Sequence, residues 1–470
     1  MTDPKCDVPS TKELDEEPNY EDKLHRRCSK LQAAVDALVK YKTFYFEQYP
    51  LSEANLKTER IKAKVEETTD LFKKYQDVAL ERTLKSTYYY QQGRALNVLD
   101  DYSPDALEIL TQAIKLDAKN YDAWNVLGEV YWKNNDYIDA ISCFEKANEI
   151  KKNKESLRNL SMLFRQLPQD ICLQNPDSIP AKNSDRVLKA LEYAQEALKL
   201  DPTDGTSWGI LGNAYLAEYF AFDQNTALLR RALSAYNQSY KDPVAKFCST
   251  TTFNHAMALK YSEEYTEAVF KLERAIELEP TWESAKDELN SLLRYVSNLQ
   301  DLYTFKGRVR QKRLQAQIKS LSINDLGPLK NAEEEYKLIS LADLKVGENK
   351  NCVVLGRLVG TIFYNDAVPF VFGLVDASEL CVLFTVYNLI KNKPFPMGGA
   401  IAVANPTLEE KKFSIKSKSY HFKTVRIDNP LMILINGEQL SKNNLSCIHA
   451  TFSSTSDIDH CRKTHNHYHK

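Results

Sequence analysis

Apolar residues along the chain keep two rhythms. Up to about residue 300 they recur at three- and four-residue steps, the mark of helices with one buried face. From about residue 338 they alternate or run together in short β-rich stretches. Leu31, Val35, Leu38 and Val39 share one helical face, and residues 24–85 read as an N-terminal helical cap. Trp124, Leu127, Gly128 and Tyr131 lie on the face of a further helix, and Ala140, Phe144 and Ala147 lie on the next one. Small residues at 128, 140 and 147 against large ones at 124, 131 and 144 predict an antiparallel helix pair.

The unit recurs. Trp208, Leu211, Gly212 and Tyr215 repeat the first helix, and Ala232, Tyr236 and Ser239 stand on the second. Ala190, Ala194 and Ala197 before Pro202, and Ala268, Leu272 and Ala275 before Pro280, give two more second helices, each ended by its proline. Leu157, Leu160, Ser161 and Phe164 give a weaker first helix, as do Asn254, Ala256 and Leu259, and Gly93 with Ala106, Leu110 and Ala113 gives an upstream copy. The spacing is about 34 residues, and the order of residue types matches the tetratricopeptide repeat. Two copies carry insertions in the hairpin loop, at residues 168–184 and around 217–227. The array with its closing helix, from Trp282 through Leu289 and Val296, covers residues 86–300, and the exposed end of a stack of repeats needs such a cap.

The stretches CVVLGRLVGTIF, PFVFGLVD, LCVLFTVYN, AIAVAN, YHFKTVRI and LMILIN predict five or six strands over residues 338–438. They fit a small Greek-key β-barrel of the OB type. Phe363, Phe370, Phe372, Phe384 and Tyr387 sit inside apolar runs, which favours core positions and a structural or protein-binding barrel over a nucleic-acid reader. The fold class is therefore mainly α: a tetratricopeptide-repeat α-solenoid followed by an OB-fold barrel.

Charge adds one local feature. The 470-residue chain has a net charge of -2, yet five of the eight residues from Lys306 to Arg313 are basic. Lys306, Arg308, Arg310, Lys312 and Arg313, within a basic helix or linker over 301–337, suit contact with an RNA phosphate backbone, a nuclear-import signal or a plain solvated linker. The acidic segment 1–23 has no apolar core to act as a secretory signal and is expected to be disordered. The same holds for the tail 439–470, which carries five of the eight histidines with Cys447 and Cys461 at spacings that match no compact metal site. Nine scattered cysteines without a CxxC pair suit a reducing compartment, cytoplasm or nucleus. No stretch is long and apolar enough to span a membrane. No nucleophile–base set, metal motif or nucleotide loop stands out. The expectation is a non-enzymatic adaptor with no cofactor and no metal.

In such arrays the first helix of each hairpin faces a groove, with its solvent-side residues at roughly positions 2, 5, 9 and 12 of the repeat. These are Asp122, Asn125 and Glu129, then Arg158, Met162 and Arg165, then Asn213 and Leu216, then Thr250, Phe253, Met257 and Lys260, with Asn254 beside them. Asparagines hold an extended peptide by its backbone, arginines fix a carboxylate, and methionines adapt.

ALNVLDDYSPDALEILTQAIKLDA, AWNVLGEVYWKNNDY, NLSMLFRQL, SWGILGNAYLAEYF and VPFVFGLVD with VYNLI together resemble the tetratricopeptide repeat domain 5 (Strap) family. The resemblance spans roughly residues 30–440 and implies two roles. One is a ribosome-bound factor that grips the nascent N-terminal peptide of tubulin and triggers decay of its mRNA through mRNA-deadenylation adaptor machinery (tubulin autoregulation). The other is a nuclear, stress-responsive scaffold for transcription cofactors containing acetyltransferases. It implies that Arg165 faces the peptide and that Arg310 and Lys312 touch ribosomal RNA (rRNA). Where it implies groove carboxylates, this chain has Thr250 and Ser284, with Glu283 adjacent.

Overall fold

The structure is a computed structural model describing residues 19–174, 179–180, 182–331, 335–363, 369–390 and 395–445. It divides into two compact units, residues 1–45 with 58–143, and residues 46–57 with 144–470. The expectations for residues 1–18, for most of the His/Cys tail and for part of the 168–184 insertion lie outside the described residues, as does the Phe363 side chain.

In the first unit, helix Tyr20–Thr43 buries Leu24, Leu31, Val35 and Leu38 against Ile61, Val65, Phe72 and Tyr88. Residues 20–23, expected to be disordered, are the first turn of that helix. Helices Lys85–Leu96 and Pro104–Leu116 make the upstream hairpin, and Tyr121–Lys133 follows. Two of these starts have a local cause. Ser103 accepts from the Ala106 amide with Pro104 in the first turn, and Asn120 accepts from the Ala123 amide. The Trp124 indole does more than pack: it donates to the Ala118 carbonyl at 3.0 Å, in the turn after the preceding helix.

In the second unit three hairpins follow in order. They are Lys154–Gln166 with Asn183–Leu200, Gly205–Ala221 with Thr226–Ser239, and Ser249–Tyr261 with Tyr265–Leu278. Asn153 and Asp204 cap first helices, and the Trp208 indole repeats the tryptophan bond, to Pro202 O at 2.9 Å. Gly212 has no side chain because Tyr236 fills its place: a Cβ there would lie 2.6 Å from the Tyr236 ring. Part of the first insertion is helix Gln169–Gln174, and the second is absorbed by an extra turn ending at Ala221. The capping helix runs on from Glu283 to Phe305.

A curled mixed sheet follows: β1 (Lys337–Leu338), β2 (Gly347–Glu348), β3 (Cys352–Phe363), β4 (Phe370–Val375), β5 (Cys381–Val386), β6 (Ala400–Ala404), β7 (Thr407–Ile415), β8 (Lys418–Ile427), β9 (Ile433–Ile435) and β10 (Glu438–Gln439). The order is β10-β9-β6-β3-β4-β5-β8-β7-β2, with β1 parallel to β3 and β5 parallel to β8. Strand β7, TLEEKKFSI, is absent from the predicted set because charged residues fill its middle; Leu408 joins the sheet's own core, while Phe413 and Ile415 face the core shared with helix Glu283–Phe305. Structure continues into the expected tail, where Leu440 is buried and Leu445 bridges Leu389.

The unbroken apolar runs of β4 and β5 have a physical reason: both faces are covered. Phe370, Phe372 and Leu374 point into the sheet's own core, where the Phe372 and Phe384 rings stack at 5.1 Å. Val371, Val375 and Leu383 join Leu292, Val296, Leu299 and Leu302 of helix Glu283–Phe305 in a second core.

Two hairpin turns also dock on the end of β5. Gln224 and Glu263 both take left-handed backbone there and are buried. The Asn388 amide donates to Gln224 Oε1 at 2.6 Å. Glu263 Oε1 accepts from the hydroxyls of Thr385 at 2.8 Å and Tyr387 at 3.1 Å. Arg426 lies 3.6 Å from the same oxygen, and Lys411 lies 3.8 Å from Oε2. Arg426 also donates to Tyr261 O at 2.7 Å and covers the Tyr387 ring at 3.8 Å.

Glu263→Ala should leave the Thr385 and Tyr387 hydroxyls without their acceptor, while Arg426 keeps Asp428 at 2.8 Å and Lys411 keeps Glu409 at 2.6 Å, and should lower stability by roughly 1–3 kcal/mol. Glu263→Gln, which keeps an oxygen for Thr385 and Tyr387, should cost less. Urea midpoints of the two variants equal to that of the parent chain would contradict this account.

Candidate functional site

The predicted groove residues of the second unit fall into three groups. Arg158 is already paired: its Nη1 lies 2.9 Å from Asp204, the residue that caps the next hairpin. Lys260 is likewise held, by Glu288 at 2.8 Å. Thr250 and Met257 are half-buried on helix Ser249–Tyr261, and Ser284 is exposed on the capping helix. Leu216, Phe253, Asn213 and Asn254 are buried rather than solvent-facing. For the two asparagines the reason is mutual: their helices are neighbours, and Asn254 Nδ2 donates to Asn213 Oδ1 at 3.1 Å.

The third group centres on Arg165. Its Nε donates to Ser161 O at 3.1 Å, and no carboxylate among the described residues pairs with it. Half-buried by surface area, its guanidinium still sits deep enough that burial pushes it down to about 10, so it is fully charged at neutral pH. Tyr236 is its near electrostatic neighbour, and burial raises that phenol well above its ordinary range. The Tyr236 hydroxyl donates to Asn213 Oδ1 at 2.8 Å, so Asn213 Oδ1 receives both Tyr236 and Asn254. Asn254 Oδ1 and Ser161 Oγ, both buried, have no partner. An unpaired cation beside orphaned amide and hydroxyl groups is costly by itself, and a polar ligand relieves the cost. Met162, half-buried between these hairpins, packs with Leu198, Ile210 and Leu211.

Tyr236 has no place among the sequence candidates. It stands on a second helix, and only the Gly212 vacancy brings it forward. Behind it His255 is stacked between Tyr236 and Tyr240, at 5.1 and 5.4 Å.

In the first unit Asn125 is 1% exposed, against the solvent-side expectation. Glu129 accepts from Asn97 Nδ2 at 2.8 Å. Lys133 is half-buried beside them and donates to Asn97 O and Oδ1 and to Leu99 O. Burial outweighs the Glu129 charge and pushes Lys133 down to about 8.

The basic segment is of another kind. Arg308, Arg310, Lys312 and Arg313 are exposed, Lys306 is half-buried, and none of the five has an ion-pair partner among the described residues. Arg308 approaches the Phe305 ring at 5.9 Å. Lys312 and Arg313 occupy the first turn of helix Gln311–Lys319, which has no acid there. Cations at that end oppose the helix dipole, so a phosphate brought to them is doubly favoured. Among the described residues no cluster of three or more metal-ligating side chains occurs, and no helix is long and apolar enough to cross a membrane.

Helical repeats that offer amides and a cation from neighbouring first helices, joined to a curled mixed sheet, define a repeat-based adaptor that binds protein. Family profiles agree: the Tetratricopeptide repeat matches residues 121–154 and the Tetratricopeptide repeat protein 5 OB fold domain matches 335–449. Tetratricopeptide repeat protein 5 of Homo sapiens is 35% identical over 427 residues, 89% of this chain and 94% of the relative. The Mus musculus protein of that name is 35% identical over 443 residues, 92% and 98% of the two chains. The chain belongs to the tetratricopeptide repeat protein 5 family. Among solved structures, the APC/C hetero-tetramer Cut9-Hcn1 is similar at 14% identity with a TM-score of 0.40, over 58% of this chain and 49% of that one.

Burial, and then the Lys271 cation, push His255 down to about 3 from 6.5. The unfolded chain takes up a proton near 6.5 that the folded chain refuses until about 3, so stability present above 6.5 is lost as pH falls. Between pH 7 and pH 5 this residue should remove roughly 2 kcal/mol. Denaturant titrations should show that His255→Phe, which keeps the ring stack, flattens this part of the pH profile.

Proposed function

We propose that the chain is a ribosome-associated adaptor that reads the nascent N-terminal peptide of tubulin and directs decay of the message being translated, through recruited deadenylation machinery. The observation that carries this reading is Arg165: a half-buried guanidinium with no carboxylate partner among the described residues, neighbouring Tyr236, whose hydroxyl bonds Asn213 and through it Asn254 with its orphaned oxygen. That set suits an extended peptide bearing an acidic group, the cation taking the carboxylate and the amides taking the backbone. The exposed cations from Arg308 to Arg313 suit the second half of the task, contact with rRNA. Membership of the family supports both. Work of this kind belongs to the cytoplasm, with the nucleus as a second compartment.

The chain departs from the family resemblance where the peptide's basic residue would be met. Thr250 and Ser284 carry no charge there. Glu288, one turn on from Ser284, offers a carboxylate on the same helix face, and Lys260 already occupies it at 2.8 Å.

Titration of a tubulin N-terminal peptide should show Arg165→Ala binding at least ~10-fold more weakly than the parent chain, as a lost charged hydrogen bond of about 1.5–3 kcal/mol requires. Equal affinities would mean that the groove serves another ligand. Arg310→Glu with Lys312→Glu should remove co-sedimentation with ribosomes, and undiminished sedimentation would sink the RNA contact.

A further inference from the structure

The basic segment is fastened at both ends to one strand of the sheet. At its start, Lys306, Gly307 and Arg308 take left-handed backbone in succession, with φ of 49, 64 and 55°. Such a run is strained for the two non-glycine residues and persists only where surrounding contacts fix it. The contact is β3: a Cβ on Gly307 would lie 1.9 Å from Val359 O. Between the two ends, Leu314 is buried in the core shared by Leu302 and Val359.

At the far end Arg357, on the same strand, reaches the last turn of helix Gln311–Lys319. Its Nε donates to Gln317 O at 2.9 Å, its Nη2 to Ser320 O and Oγ, both at 2.9 Å, and its Nη1 to Gly398 O at 3.3 Å. The Gln317 carbonyl also accepts from the Ser320 hydroxyl at 2.7 Å, so Arg357 adds a charged donor to an already capped helix end, where a cation complements the dipole. The side chain is 12% exposed, with Asp325 at 3.9 Å. The helix is thus stabilised from its C-terminal end, which leaves the cations at its N-terminal end unneutralised.

The sheet itself offers no stacking face for bases from its large aromatics, because Phe370, Phe372, Phe384 and Tyr387 are buried. We propose that the OB domain acts as a mount rather than a reader. Strand β3 presets Lys306–Arg313 as a fixed cationic ridge for a phosphodiester backbone, and Gly307 and Arg357 are its positioning residues. This rests on the RNA-contact reading of the segment. A ridge already ordered does not lose chain freedom when it binds, which is where its affinity comes from.

The test uses the full chain in four forms: parent, Arg357→Ala, Gly307→Ala, and Arg310→Glu with Lys312→Glu. Binding to purified ribosomes is followed across a salt series, with amide hydrogen exchange on the same samples. Arg357→Ala and Gly307→Ala should each weaken binding by about tenfold while keeping nearly the parent's salt slope, because preorganisation is lost and the charges are not. Exchange should rise in residues 306–320 and stay low in β4 and β5. The charge-reversal form should instead lose binding at every salt concentration at which the positioning variants still bind. If Arg357→Ala disturbs the whole sheet, the exposed Gly307 position decides the matter. Parent-like binding by both positioning variants, with binding lost on charge reversal, would overturn the mount and leave the RNA contact standing. Parent-like binding by the charge-reversal form would overturn both.

Discussion

One buried carboxylate joins the two kinds of architecture in the second unit. Glu263 sits at a hairpin turn in left-handed backbone, and its two oxygens are approached by two hydroxyls, an arginine and a lysine of the sheet. Taking such a charge out of water costs several kcal/mol, and only this density of donors offsets it. The geometry therefore admits one placement of the sheet on the hairpins. Helix Glu283–Phe305 lies along the same sheet, and Gly307 and Arg357 then fix the basic segment to strand β3. The position of each later element follows from the earlier contact.

Arg165 shows the opposite electrostatic arrangement. Where Glu263 is surrounded by donors, Arg165 has one backbone carbonyl and a neighbouring phenol. No described carboxylate closes off Arg165 in the way that four groups close off Glu263. The neighbouring cations Arg158 and Lys260 make the contrast plain, since each is closed off by its own carboxylate.

Much of the helical architecture was legible in the sequence, because hairpin packing depends on local complementarity of large and small residues. Trp124 and Trp208, Gly212, and the alanines before Pro202 and Pro280 mark helices that the structure contains. The barrel was legible through the runs of β3 to β6, while β7 was not, because TLEEKKFSI carries four charges in succession, one of which, Lys411, turns inward to Glu263. The site was legible by residue more than by environment. Asn213 and Asn254 bond each other and Tyr236, the neighbour of Arg165, bonds Asn213, but the helix-face rule made Asn213 solvent-facing. A single hairpin's pattern contains no record of the neighbour that buries them. Tyr236, Asp204 and Glu263 were missed for the same reason: each owes its place to a contact distant in sequence.

The two-sided burial of β4 and β5 also has a consequence for how the protein is made. Synthesis proceeds from the N-terminus, so helix Glu283–Phe305 is complete before Val371, Val375 and Leu383 leave the ribosome. The sheet is laid onto an apolar surface that already exists. A chain stopped between the helix and β3 would carry that surface bare into the cell, a large exposed patch of the sort chaperones and proteases recognise. The repeat array and the sheet are thus separable in the sequence but not in manufacture.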